Sequence, residues 1–144
     1  MNLKGLQIAL YAPFSSDRQR ETSIEDQVRR CRDFVNRRGG HATEEFIFAD
    51  YATSGSSLAR PGFEAMMALV GARPRRIDAI VTEDVSRLSR GFADAAMIFR
   101  KLQFEEVLLY GVGDGIDTST RHAKLAFAVK SLSGYIVSVR RVAS

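Results

Sequence analysis

The sequence predicts an α/β domain: a mainly parallel central sheet flanked by helices in three layers, ending in a long C-terminal helix. Three observations predict it. Short apolar runs alternate with stretches of helical periodicity, small polar loops follow the apolar runs, and the last segment carries a seam of apolar residues at heptad-like spacing. The 144 residues suit one compact domain.

Ile8-Ala9-Leu10-Tyr11-Ala12 reads as a buried first strand. A polar loop runs from Ser15 to Glu21, and Thr22-x-x-Glu25 then gives a capping-box signal. Ile24, Val28, Cys31 and Phe34/Val35 recur at helical spacing until Gly39-Gly40 stops the helix. Thr43 to Ala49 reads as the second strand. The stretch from Tyr51 to Arg60 is small and polar, hence a loop, and Pro61 suits the first turn of a helix whose inner face holds Phe63, Met66, Met67 and Val70. Ile77 to Val81 is the third strand, Phe92, Ala95, Ala96, Phe99 and Leu102 trace a third helix, and Val107 to Tyr110 is the fourth strand. In such sheets, functional groups gather beyond the carboxyl ends of the strands. Ser15, Ser54 and the segment after Thr82 all lie just past a predicted strand, so one rim is expected to hold all three.

The last segment places Leu125, Val129, Leu132, Ile136 and Val139 at spacings that form a helix-packing seam. The partner is either another subunit or the helix's own domain. Gly134 inside the seam costs about 1 kcal/mol of helix propensity relative to Ala, or permits close helix approach.

The formal net charge is +4 and the pI about 9.6; 17 of the 21 basic residues are Arg. Arginine's planar fork grips phosphate oxygens in pairs, so the composition is compatible with a nucleic-acid partner. The single Cys31 rules out an intramolecular disulfide, falls on the apolar stripe of its helix, and reads as a buried free thiol in a reducing, cytoplasmic setting. No apolar run is long enough to span a bilayer, and the N-terminus carries no signal-peptide pattern.

Three segments carry the chemistry: Tyr11-Ala12-Pro13-Phe14-Ser15-Ser16-Asp17-Arg18-Gln19 with Ser23 to Gln27 behind it; Asp50 through Ser54-Gly55 to Arg60-Pro61-Gly62-Phe63; and Asp84-Val85-Ser86-Arg87-Leu88-Ser89-Arg90. In this order, with the later Asp114-Gly115-Ile116-Asp117-Thr118, they resemble the serine recombinases, which include resolvases, DNA invertases and large serine integrases. The resemblance covers nearly the whole chain and rests on the ordered set, since Ser-Gly-Ser-Ser alone is a common loop.

The resemblance implies a resolvase-like fold and a DNA-cleaving activity through a covalent phosphoserine intermediate, with no metal and no cofactor. Ser15 matches the nucleophile, and Arg87 and Arg90 match paired active-site arginines, on one face if their segment is helical. Arg60 matches a further arginine. Gln27 is implied as an organiser of the nucleophile loop, and Asp50 as an acidic group that carries a proton or orients an arginine. Gln19, Ser54 and Arg18 are implied as substrate-binding. Each of these also reads as an ordinary polar surface, turn or capping residue.

The implied partners are DNA and a second copy, as a homodimer that forms tetramers on paired DNA sites, with no membrane. The implied division is a catalytic core at 1–117 and a dimerisation helix at 118–144, with the family's DNA-recognition domain absent from the chain. The family usually has Arg at the third position of Tyr-Ala-Arg-x-Ser; here it is Pro13, which has neither charge nor N–H. A missing phosphate-clamping cation costs about 3 kcal/mol of transition-state stabilisation. A second reading is therefore a catalytically impaired relative acting in dimerisation or regulation. Flavodoxin-like and receiver-type signalling domains share the strand–helix alternation, but there is no clear acidic pair after the first strand and no G-x-x-x-x-G-K loop.

Overall fold

The computed structural model describes residues 2–13, 21–51, 59–89 and 91–119. Four parallel strands, β1 (Ile8–Pro13), β2 (Ile47–Asp50), β3 (Ala79–Thr82) and β4 (Leu108–Gly111), form one sheet in the order β2-β1-β3-β4. Three helices connect them: α1 (Glu21–Arg37), α2 (Pro61–Val70) and α3 (Phe92–Phe104). The α/β class and the parallel sheet are as the sequence predicts.

Alternation along each strand divides the core in two. Ile8, Leu10, Ala79 and Val81 pack with Cys31, Phe34 and Val35 of α1 on one face. Ala9, Tyr11, Ile80 and Leu109 pack with Phe63, Met66 and Val70 of α2 and with Ala95, Ile98 and Leu102 of α3 on the other. The result is three layers. The chain leaves β1 toward β2 and leaves β3 toward β4, so the winding reverses between β1 and β3. This is the topological switch point, where the carboxyl ends of a doubly wound sheet open a crevice.

Several boundaries move. The second strand does not begin at Thr43: Glu44–Phe46 is a 3-10 turn, and only Ile47–Asp50 joins the ladder, against Leu10 to Pro13. Phe46 is buried all the same, which is why its hydrophobicity reads as strand. β3 and β4 likewise start after buried Ile77 and Val107 and extend to Thr82 and Gly111. Thr22 lies inside the first turn of α1 rather than ahead of it. The described part of the Arg87 segment is a short 3-10 turn, Val85–Arg87, and Arg90 lies outside the described residues.

Residues 116–118 fold back along β4. Asp117 makes an antiparallel bridge to Tyr110, Gly111 N–H donates to Ile116 O (2.8 Å), and Thr118 N–H donates to Leu109 O (3.0 Å). Thr118 thus belongs to the sheet edge. From residue 120 on, the helix expected over 118–144 lies outside the described residues. No helix among the described residues is long and apolar enough to cross a membrane.

Candidate active site

The carboxyl ends of β1, β2 and β3 lead into the segments singled out by the sequence. β1 ends at Pro13, two residues before Ser15, and β3 ends at Thr82, five before Arg87. These are the two strands flanking the switch point. Their ladder stops at the pair Tyr11–Thr82, where buried Thr82 Oγ1 donates to Tyr11 O (2.9 Å) and ties the two exits together.

Asp50, the last residue of β2, is buried and heavily used. Its Oδ2 accepts from Tyr11 Oη–H (2.6 Å) and from Phe63 N–H (2.9 Å), and its Oδ1 accepts from Gly62 N–H (2.7 Å). Gly62 and Phe63 are in the first turn of α2, whose N–H groups lack intrahelical partners. Asp50 therefore caps α2 from a neighbouring strand, and its charge suits the positive end of the helix. Gly62 makes this approach possible, since a Cβ there would lie 2.5 Å from Ala49 O. Tyr11 is held by its ring as well, edge-on to Phe63 with centroids 5.4 Å apart.

Arg60 sits at the N-cap position of α2. Its guanidinium lies over the Phe63 ring, 4.1 Å from the centroid, donates to Leu88 O, and approaches Asp94 of α3 at 3.6 Å. The side chain is 18% exposed, so it is not wholly withdrawn from solvent. Leu88 is buried and follows Arg87, which is exposed. Cations 27 positions apart in the chain are thus brought to the same turn of backbone.

Gln27 lies inside the rim at 3% exposure, and its Nε2 donates to Pro13 O (3.0 Å), at the point where the chain departs toward Ser15. One helical turn along α1, Arg30 donates to Glu83 at 2.7 Å. That hydrogen bond raises the Arg30 pKa further, and it ties α1 to the exit of β3. Ser15, Arg18, Gln19, Ser54 and Arg90 lie outside the described residues. Of the predicted site, the structure brings together Asp50, Arg60, Arg87 and Gln27 around the switch point.

The sequence reading gave no individual role at this rim to Tyr11, Thr82, Asp94 or Asp114, although Tyr11 and Asp114 lie within the segments that carry the resemblance. Tyr11 carried a signal, because a tyrosine in a buried strand needs a partner for its hydroxyl. Asp114 carried one only as part of the Asp114 to Thr118 segment, and Thr82 and Asp94 carried none, since their partners are fixed by tertiary packing. No group of three or more His, Cys, Asp or Glu among the described residues is arranged to hold a metal ion. Two surface grooves lie apart from the switch point: about 280 Å³ between the end of α3 and β4, lined by Phe99, Leu102 and Val107, and about 460 Å³ between α1 and β2, lined by Ile24, Val28 and Ile47.

In a doubly wound domain the crevice at the switch point is where ligands ordinarily bind. The chain belongs to the resolvase N-terminal domain family, the catalytic domain of serine recombinases: the family model described as "Resolvase, N terminal domain" matches residues 8–134. Among solved structures, it is similar to a resolvase family site-specific recombinase from Streptococcus pneumoniae, with 27% identity and a TM-score of 0.74 over 94% of this chain and 89% of that one. It shares its fold with the N-terminal catalytic domain of TP901-1 integrase, with 19% identity and a TM-score of 0.69 over 96% of this chain and 98% of that one. No curated protein sequence matches the chain.

Proposed function

We propose that this chain is a DNA-cleaving and DNA-rejoining domain of a site-specific recombinase, acting through Ser15. The Ser15 hydroxyl oxygen attacks the scissile phosphorus, the bond to the 3′ oxygen breaks, and the serine proton ends on the freed 3′ hydroxyl. The phosphoserine link conserves the energy of the phosphodiester, so rejoining runs the same step in reverse. A serine hydroxyl is a weak nucleophile, and negative charge grows on the phosphate oxygens in the transition state. Arg60, Arg87 and Arg90 supply fixed positive charge there, and arginine remains charged at any working pH. Arg18 and Gln19, which flank the nucleophile, and Ser54 contact the DNA backbone.

The observation that carries this reading is the convergence of Arg60 and the Arg87 turn, through Leu88 O, beside the exit of the strand that leads to Ser15. Gln27 holds the root of the nucleophile loop through Pro13 O, and Asp50 presents Arg60 by anchoring α2. The partners are DNA and further copies of the chain, as a dimer that pairs into tetramers on two DNA sites, with the segment 118–144 as the contact between subunits.

A DNA nicking assay on supercoiled plasmid tests the proposal. A covalent protein–DNA adduct that disappears in Ser15→Ala is expected. Pro13 favours a second reading, in which the chain dimerises and touches DNA without cutting it. A stable dimer that forms no adduct, with or without Pro13→Arg, would establish that reading instead.

A further inference from the structure

The turn that carries Arg87 is too short to hold its own shape. Its internal backbone bonds are Arg87 N–H to Asp84 O (3.1 Å) and Leu88 N–H to Val85 O (3.0 Å). Three-residue 3-10 turns have poor hydrogen-bond geometry and need support from outside. That support comes from the loop after β4. Val112 N–H donates to Thr82 O (2.9 Å), and Gly113 N–H donates to Glu83 O (2.6 Å). Asp114 Oδ2 accepts from Val85 N–H (2.8 Å), the first residue of the turn. Three successive residues thus grip three points of the chain between β3 and Arg87.

Asp114 is itself held in place. Gly115 N–H donates to Gly111 O (3.0 Å), folding the loop tightly, and Ile116 N–H approaches Asp114 Oδ1 (3.4 Å). The carboxylate occupies space that only a glycine at position 111 leaves open, since a Cβ there would lie 1.9 Å from Asp114 Oδ1. At the other end of the turn, Val85 and Leu88 are both sunk in the core, with Arg87 between them facing out. Fixing Val85 N–H therefore fixes the direction in which Arg87 leaves the turn, and the position of the Leu88 carbonyl that receives Arg60.

We infer that Asp114 is a positioning residue for the arginine rim: docked on Val85 N–H, it sets the Val85–Leu88 turn that presents Arg87 and anchors Arg60. The inference rests on the reading of that rim as the phosphate site. In this role Asp114 acts through the backbone of the turn, at Val85 N–H.

The test compares Asp114→Ala, Asp114→Asn and Gly111→Ala by two measurements. Amide hydrogen exchange reports the turn directly. Exchange at Val85 is expected to quicken about tenfold in Asp114→Ala while β1 and β3 keep their protection, because one charge-assisted hydrogen bond is lost locally. Asp114→Asn keeps an acceptor oxygen and is expected to restore most of the protection. Gly111→Ala is expected to match Asp114→Ala, and to add little to it once the carboxylate is gone.

In the adduct assay, Asp114→Ala is expected to slow cleavage about tenfold at saturating DNA with half-saturation nearly unchanged, and to slow Arg87→Ala by no more than about twofold further. Unchanged exchange at Val85 would overturn the inference. So would a uniform loss of protection across the strands, or full additivity with Arg87→Ala. Failure of the parent chain and of Pro13→Arg to form any adduct would instead overturn the recombinase reading, leaving the exchange measurement to decide the role of Asp114 in the turn.

Discussion

Pro13 stands where the resemblance to the family leads one to expect an arginine. It closes β1, opposite Asp50 in register, and its carbonyl takes the Gln27 side chain. At the last position of a strand, a missing N–H costs at most one ladder bond, so the fold tolerates proline there. The chemistry is less tolerant, because no cation extends from the place nearest the nucleophile. Pro13→Arg is expected to speed adduct formation by about tenfold to a hundredfold, the usual worth of one transition-state clamp. An unchanged rate would show that the rim needs no cation at this position.

Cys31 answers differently to a chemical probe. Burial pushes its thiol up to about 12, with Glu83 adding to the shift and Arg30 opposing it. The folded protein should therefore resist alkylation at pH 8 and react only on unfolding. Between pH 9 and 12 the unfolded chain gives up a proton that the folded chain retains, so stability falls as pH rises, by at most about 1.4 kcal/mol per pH unit from this one group. Tyr110, raised chiefly by burial, adds in the same direction. Urea midpoints for Cys31→Ala should decline less steeply over that window than those of the parent.

Among the elements, the gap between what the sequence shows and what the structure does has one cause. Hydrophobicity reports burial, while a strand is defined by its ladder. Phe46, Ile77 and Val107 are buried ahead of their strands and were read into them, whereas Asp50, Thr82 and Gly111 pair within the ladder and were read out. Two of those three overlooked strand ends, Asp50 and Thr82, carry side chains that organise the rim. Asp50 was legible as a site residue through the family resemblance, but its work was not: its donors are Tyr11, 39 positions earlier, and the first turn of α2. Only the meeting of β1, β2 and α2 reveals it as a cap of α2. Asp50→Ala strands three buried or half-buried donors, and is expected to cost about 2 to 3 kcal/mol in urea denaturation. Asp50→Asn should recover part of that loss. If Asp50→Ala left stability intact, the anchoring of α2 and of Arg60 through it would be wrong.

At the scale of the whole molecule, the winding order explains why distant segments share one rim. Reversal between β1 and β3 sends the chain outward to both sides, so the exits of those two strands are left facing each other with no connection crossing between them. Loops carried on such a scaffold can vary without disturbing the sheet beneath them. Of the described rim cations, Arg87 is exposed and Arg60 partly so, which leaves fixed positive charge open to a phosphate backbone. The rim's affinity for DNA should then come mainly from released counterions. If Arg18, Arg60, Arg87 and Arg90 each neutralise one phosphate, log K is expected to fall with log salt at a slope of about −3.6, or about a hundredfold between 50 and 200 mM. Arg87→Ala should make that slope shallower by about one, uniformly across DNA sequences, since a phosphate contact carries no base readout. Fluorescence anisotropy on two unrelated duplexes over a salt series measures both quantities. A slope near zero, or one unaltered by Arg87→Ala, would mean that DNA does not lie across the carboxyl rim, and the proposed route from phosphate to Ser15 would have to be abandoned.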